Sequence, residues 1–193
     1  MVNFPPLMPS ASWLGHYLKA IANDASESQA INIANESLVS TREFGRYVLF
    51  DPRGERVTLS IAVNGGGRQL RYPEKLIGIT LSEHGDWRRN HLKALEACLG
   101  KKPFFNHLFP SLSELYLNKE LLTLEDFNTT LLKFLFTFVV GKINKTEISR
   151  YFKNDTWIQR GQEIASRIKP EVSSIEVASA FGKESLLGFL ALN

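Results

Sequence analysis

Apolar residues first recur at helical spacing near the front of the chain. From Ser10 or Ser12, either able to cap, Trp13, Leu14, Tyr17, Leu18 and Ile21 fall three and four residues apart, which predicts an amphipathic helix ending near Asn23-Asp24. Its buried face is aromatic. The period then changes: Gln29 to Ala34 alternates as a strand would, and Asn35 to Thr41 reads as a polar connection. Gly45 to Phe50 is rich in β-forming residues, Asp51-Pro52-Arg53-Gly54 supplies a turn with proline in second position, and Val57, Leu59, Ile61 and Val63 alternate with polar or small residues. These features predict a hairpin with one buried face, ended by Asn64-Gly65-Gly66-Gly67. Ile77, Ile79 and Leu81 mark a further strand after Pro73.

The second half returns to helical spacing. Residues 86–99 form the most sharply patterned helix: Asp86 is placed to cap it, Gly100 to close it in the left-handed conformation, and Trp87, His91, Leu95, Cys98 and Leu99 share one face. Another helix is expected over Ser111 to Asn118. Thr123-Leu124-Glu125-Asp126 resembles a capping box with aspartate in place of glutamate, and opens a long helix reaching about Val140. Between Leu131 and Val140 that helix is apolar on nearly every side. Such a surface must be buried against the sheet, another helix or a second copy of the chain, and the sheet is the favoured partner over a homodimer. After Gly141, short helices are expected at Thr146 to Phe152 and Trp157 to Ile168, and the apolar tail Leu186 to Leu192 is expected to pack. The fold class is therefore α+β: a small, mostly antiparallel sheet against several helices, with a helical C-terminal part.

Composition narrows the class without naming a reaction. A chain of 193 residues, 44% hydrophobic and 22% charged, can bury a sizeable core and is read as one domain over 1–193. Its 23 basic and 20 acidic residues leave a net charge of only +3, too little to argue for nucleic acid or an anionic membrane. Cys98 is the single cysteine, which excludes an intrachain disulfide framework and suits a reducing compartment. The start of the chain lacks the basic and apolar segments of a secretory signal, and the longest apolar run is far short of the ~20 residues that cross a bilayer. The expectation is a cytoplasmic protein without a membrane span.

Candidate chemistry centres on the helix 86–99. An inward-facing His91 can serve as a general base or ligand contact, and burial favours its neutral form; the plainer alternative is a core histidine bonded to a backbone carbonyl. Arg88, Arg89 and Lys93, with Lys101 and Lys102, could hold a phosphate, carboxylate or sugar nucleotide, or form a solvated helix face. The four histidines, 16, 84, 91 and 107, lack metal-ligand spacing, so no metal is expected. Gly65-Gly66-Gly67 has no following Gly-Lys-Ser/Thr, Cys98 sits on a packing face, and no Gly-x-Ser-x-Gly elbow occurs.

Trp87-Arg88-Arg89-Asn90-His91, then Ala94-Leu95-Glu96, then Pro103-Phe104-Phe105, resembles the Trp-x-x-x-His helix and Pro-Phe/Tyr-Phe of the WbqC-like family, bacterial proteins associated with surface-polysaccharide and O-antigen loci. Gly45-Arg46 and Leu59-Ser60-Ile61-Ala62-Val63 resemble its Asn-Arg and Leu-Thr-Val-Pro-Val segments, with Gly45 and Ala62 as departures. Leu7-Met8-Pro9 through Tyr17-Leu18 resembles its Met-Gln-Pro opening and Gly-Tyr-Phe helix, with Met8 at the glutamine position. The resemblance covers roughly residues 5–150, leaving 151–193 as a shortened, divergent tail.

The resemblance implies a role in polysaccharide assembly, as a small transferase acting on an activated sugar or acyl donor. His91 would be the catalytic base. Arg46, Arg89 and Asn90 would bind substrate, and Trp87, Tyr17 and Phe104 would form apolar or sugar-stacking walls. No cofactor is specified. The alternative is a noncatalytic binding or scaffold protein that docks or dimerises through residues 131–140, with His91 and Trp87 as core residues. Nucleic-acid binding through Lys142 to Lys153 is the weaker reading, since a net charge of +3 gives it little support.

Overall fold

The computed structural model describes residues 2–10, 13, 16, 17, 20, 23, 25–102 and 105–139. Within these residues a two-stranded antiparallel sheet and helices, concentrated in the later part, give the expected α+β architecture. Trp13, His16, Tyr17 and Ala20 lie in helical backbone, and Ser10 Oγ accepts from the Trp13 amide at 3.2 Å, the capping role expected of it. Trp13 and Tyr17 are fully buried and stacked, 5.3 Å apart, as the aromatic face requires.

Helix α1, Glu27–Asn35, replaces the strand expected from Gln29 to Ala34. Ser26 decides this segment. Its hydroxyl accepts from the Gln29 amide while Gln29 Oε1 accepts from the Ser26 amide, a reciprocal capping box that fixes the first turn. Ala30, Ile31 and Ala34 then form the buried stripe, a spacing that short alternation imitates.

Strands β1, Arg46–Phe50, and β2, Arg56–Ser60, form the expected hairpin, in register from Arg46 opposite Ser60 to Phe50 opposite Arg56. Tyr47, Leu49 and Leu59 face the core. Asp51 Oδ1 accepts from both the Arg53 and Glu55 amides and ties the turn, where Gly54 takes a φ of +83°. The next expected strand does not extend: Gly78 adopts a φ of +72°, Ile77 is exposed, and only isolated antiparallel bridges remain at Val63–Leu81 and Thr80–Thr123.

Helix α2, Trp87–Leu99, packs against β2 and against α3, Phe105–Leu117. Its ends differ from the expected caps. Asp86 sits in the left-handed region at φ 48° with no side-chain capping bond, and Gly100 is right-handed. Helix α3 starts before the expected Ser111 and contains Pro110; buried Phe105 and Leu108 anchor the turn that precedes the proline. Helix α4, Leu124–Val139, opens as expected from Thr123, whose hydroxyl accepts from the Asp126 amide at 3.0 Å and donates to the Asp126 carboxylate at 2.6 Å.

Leu131, Leu132, Phe134 and Leu135 of α4 join the main core within one chain. The segment from Val2 to Pro9 is held into the same core. Asn35 Nδ2 donates to the Val2 and Phe4 carbonyls, and Asn128 Nδ2 donates to those of Pro5 and Phe44, at 2.9 and 2.7 Å. The helices expected at 146–152 and 157–168, and the tail 186–192, lie outside the described residues. Among the described residues, no helix is long and apolar enough to cross a membrane.

Candidate functional site

The inward face of α2 lies against the end of β2. Spacing of four residues puts Trp87 and His91 on one side of the helix, and their rings meet edge to face at 5.1 Å. Trp87 Nε1 donates to the Ser82 carbonyl at 2.7 Å, which fixes the indole. His91 is 3% exposed, and its Nε2 lies 3.0 Å from the Ser60 carbonyl oxygen. A carbonyl can only accept, so Nε2 carries the proton and neutral His91 keeps its lone pair on Nδ1. That Nδ1 is buried and has no hydrogen-bond partner.

Burial pushes the His91 pKa down to about 4, partly opposed by the bond to Ser60. The ring is therefore neutral near pH 7, with an oriented basic nitrogen. Tyr116 of α3 is tilted across it, ring centroids 5.9 Å apart, and Tyr47 of β1 is buried in the same core. Both phenol oxygens are buried without a hydrogen-bond partner. Burial raises both pKa values, and for Tyr47 the nearby Tyr116 and Cys98 raise it further. The Cys98 thiol is also pushed up by burial and then by Asp51, which disfavours a reactive thiolate.

The remaining candidates divide between this cluster and the surface. Arg46 lies opposite Ser60 in the hairpin and its Nε donates to Ser60 Oγ at 3.2 Å, so Ser60 links an exposed guanidinium to the buried imidazole. Arg89 points outward, its side chain 68% exposed, 3.8 Å from Asp86. Asn90 is exposed and donates to the Gly85 carbonyl at 3.0 Å, bracing the helix start. Tyr17 stacks on Trp13 within the core, and Phe104 lies outside the described residues.

Arg88, grouped from sequence with the anion-binding candidates, is instead 4% exposed and structurally engaged. Its Nε meets Glu83 at 3.1 Å, Nη1 donates to the Tyr116 and Asn118 carbonyls, and Nη2 donates to that of Leu121. The guanidinium also lies 4.8 Å from the Trp87 ring centre. Sequence reasoning missed Tyr47 and Tyr116 because each occupies an ordinary core position in its own element. Only the packing of α3 on α2 brings Tyr116 to His91.

A second feature lies apart from this face. A surface hollow of about 490 Å³ is lined by Asn23, Ala25, Gln29, Asn32 and Ile33. Among the described residues no group of His, Cys, Asp or Glu is arranged to hold a metal.

The model of the WbqC-like protein family matches residues 39–181, which includes the hairpin, α2 and the His91 cluster. The chain belongs to the WbqC-like family. No curated protein and no solved structure matched the chain. Family membership places Arg46, Trp87 and His91 within the matched span, and leaves Tyr17 before it.

Proposed function

We propose that this WbqC-like protein acts in bacterial surface-polysaccharide or O-antigen assembly as a small transferase on an activated sugar or acyl donor. The carrying observation is the Nδ1 atom of His91, held unprotonated and oriented by the Nε2–H bond to Ser60. In this reading His91 takes a proton from the attacking group of the acceptor. That group forms its bond to the activated carbon, and the leaving group departs with its electron pair. Arg46, at the hairpin rim, and Arg89, on the outer side of α2, supply cationic contacts for an anionic donor, with Asn90 beside them. Trp87 walls the base, while Tyr17 and Phe104 are assigned supporting apolar roles.

The test is genetic and structural together. His91→Gln and Arg46→Ala are introduced into the chromosomal copy, folding is checked by circular dichroism, and surface polysaccharide is compared by gel profile. Loss of polysaccharide from folded variants supports the reading. An unchanged profile overturns it.

A noncatalytic binding or scaffold protein is the second reading, and the closure of His91 favours it. Ser60, Trp87 and Tyr116 pack around the ring, and the 490 Å³ hollow lies elsewhere. Under that reading the His91→Gln protein would retain full function in the host.

A further inference from the structure

The phase of the hydrogen bonds in the hairpin fixes what each of its edges offers. The Ile61 amide donates to the Gly45 carbonyl at 2.8 Å and the Asp51 amide to that of Glu55 at 2.9 Å, so the odd-numbered residues of β1 bond inward to β2. The N–H and C=O groups of Arg46, Val48 and Phe50 point the other way, and none has a backbone partner among the described residues. The opposite edge is partly covered: α2 packs on β2, and His91 takes the outward carbonyl of Ser60.

Proteins ordinarily blunt a free edge with proline, lysine, a bulge or a covering segment. Strand β1 has none of the first three: its sequence is Arg-Tyr-Val-Leu-Phe and its pairing is regular throughout. Its outer face carries Phe50, 63% exposed, and half-buried Val48.

This pattern is complementary to itself. When two copies of β1 run antiparallel about Val48, Val48 meets Val48 and Arg46 meets Phe50 of the second copy. Every outward N–H and C=O of the three residues is then bonded across the twofold axis. Arg56 already stands opposite Phe50 within the hairpin, so each Phe50 ring comes to lie between two arginines, and no arginine opposes another. Sliding one copy by two residues forfeits this match. One direction pairs Phe50 with Phe44, whose carbonyl already accepts from Asn128; the other pairs Arg46 with Pro52, which has no N–H.

We propose that the β1 edge pairs antiparallel with β1 of a second copy of this chain, joining two hairpins into one continuous sheet about a twofold axis at Val48. A strand pair this short makes a smaller contact than the ~1,200–2,000 Å² of stable interfaces, so the dimer is reversible and concentration-dependent. It does not depend on the transferase reading.

The experiment uses the full chain. Sedimentation velocity from micromolar to millimolar protein should show a monomer giving way to a dimer. Over the same range, amide exchange at Arg46, Val48 and Phe50 should slow, while Arg56 and Thr58 on the opposite edge keep their rates. Val48→Lys sets two ammonium groups against each other at the axis and should weaken association about tenfold or more. Thr58→Lys, one strand further out on the same face, should change it by less than about twofold, since its charges are separated by more than a screening length. Circular dichroism checks that both variants are folded.

A dimer that Val48→Lys leaves intact overturns the interface, because the contact then lies on another surface. So does a dimer that forms without slowing exchange at Arg46, Val48 and Phe50. Wild type that stays monomeric, with those amides exchanging fast at every concentration, overturns the second copy as occupant and leaves the edge to a strand from a different protein.

Discussion

His91 donates from Nε2 to the Ser60 carbonyl across 3.0 Å, joining α2 to the last residue of β2 and fixing which nitrogen stays basic. Burial rather than the bond makes the fold sensitive to the charge of the ring: protonation leaves Nε2–H able to donate but places a charge in the core. The folded pKa of about 4 lies below the ordinary histidine value of 6.5, so the unfolded chain binds more protons between these values. The stabilisation is present above pH 6.5 and is lost as pH falls toward 4. A difference of this size corresponds to about 3 kcal/mol. Urea unfolding at pH 7.5 and at pH 4.5 should show a loss of that order in wild type and a clearly smaller loss in His91→Gln, whose amide can still donate to Ser60. Equal pH dependence in the two proteins would sink this assignment.

Arg88 and Arg89 are adjacent in sequence and opposite in role. Removing the Arg88 guanidinium leaves the Tyr116, Asn118 and Leu121 carbonyls without its donors and takes packing from Trp87. Arg88→Met should cost about 1–3 kcal/mol, as buried carbonyls that lose their donors do. Arg88→Lys should recover only part of this, since one ammonium cannot span the donors of a planar fork. Arg89→Ala should stay within about 0.5 kcal/mol of wild type. Urea titration of the three variants checks the ordering, and near-wild-type stability for Arg88→Met would contradict it.

Asn128 is fully buried and spends both amide hydrogens on distant carbonyls, those of Pro5 and Phe44. Asn128→Ala should destabilise by about 2 kcal/mol and loosen the segment from Val2 to Pro9 before the rest of the protein. Thermolysin under native conditions should cut this variant next to Phe4 or Leu7 while wild type resists. Indistinguishable cleavage patterns would show that Asn128 does not hold the segment.

The sequence carries the parts of this fold that local physics decides. The Asp51–Gly54 turn, the Thr123 cap and the shared face of Trp87, His91, Leu95, Cys98 and Leu99 all follow from spacing and side-chain chemistry, and all occur. Residues 29–34 mislead because six residues sample too little of a helical period, and the deciding Ser26–Gln29 exchange lies at the edge of that window. The site is half visible for a related reason. His91 stands out on its own helix, but Ser60 reaches it from 31 residues before and Tyr116 from the following helix, through packing that no local pattern encodes.

Asp86 offers the sharpest separation between the expectation from sequence and the observed backbone. As a helix cap, aspartate would lose some stability on replacement by glycine. In the structure it has a φ of 48°, follows Gly85 at 78°, and makes no capping bond; its carboxylate reaches only the exposed Arg89, at 3.8 Å. A side chain in this left-handed region carries a steric cost that glycine avoids. Asp86→Gly should therefore raise stability by up to about 1 kcal/mol, with the gain set against the greater freedom of glycine in the unfolded chain. The exposed ion pair is worth too little to reverse the sign. Thermal unfolding at moderate salt decides the matter: a higher midpoint fits the left-handed residue, and a lower one restores the capping role.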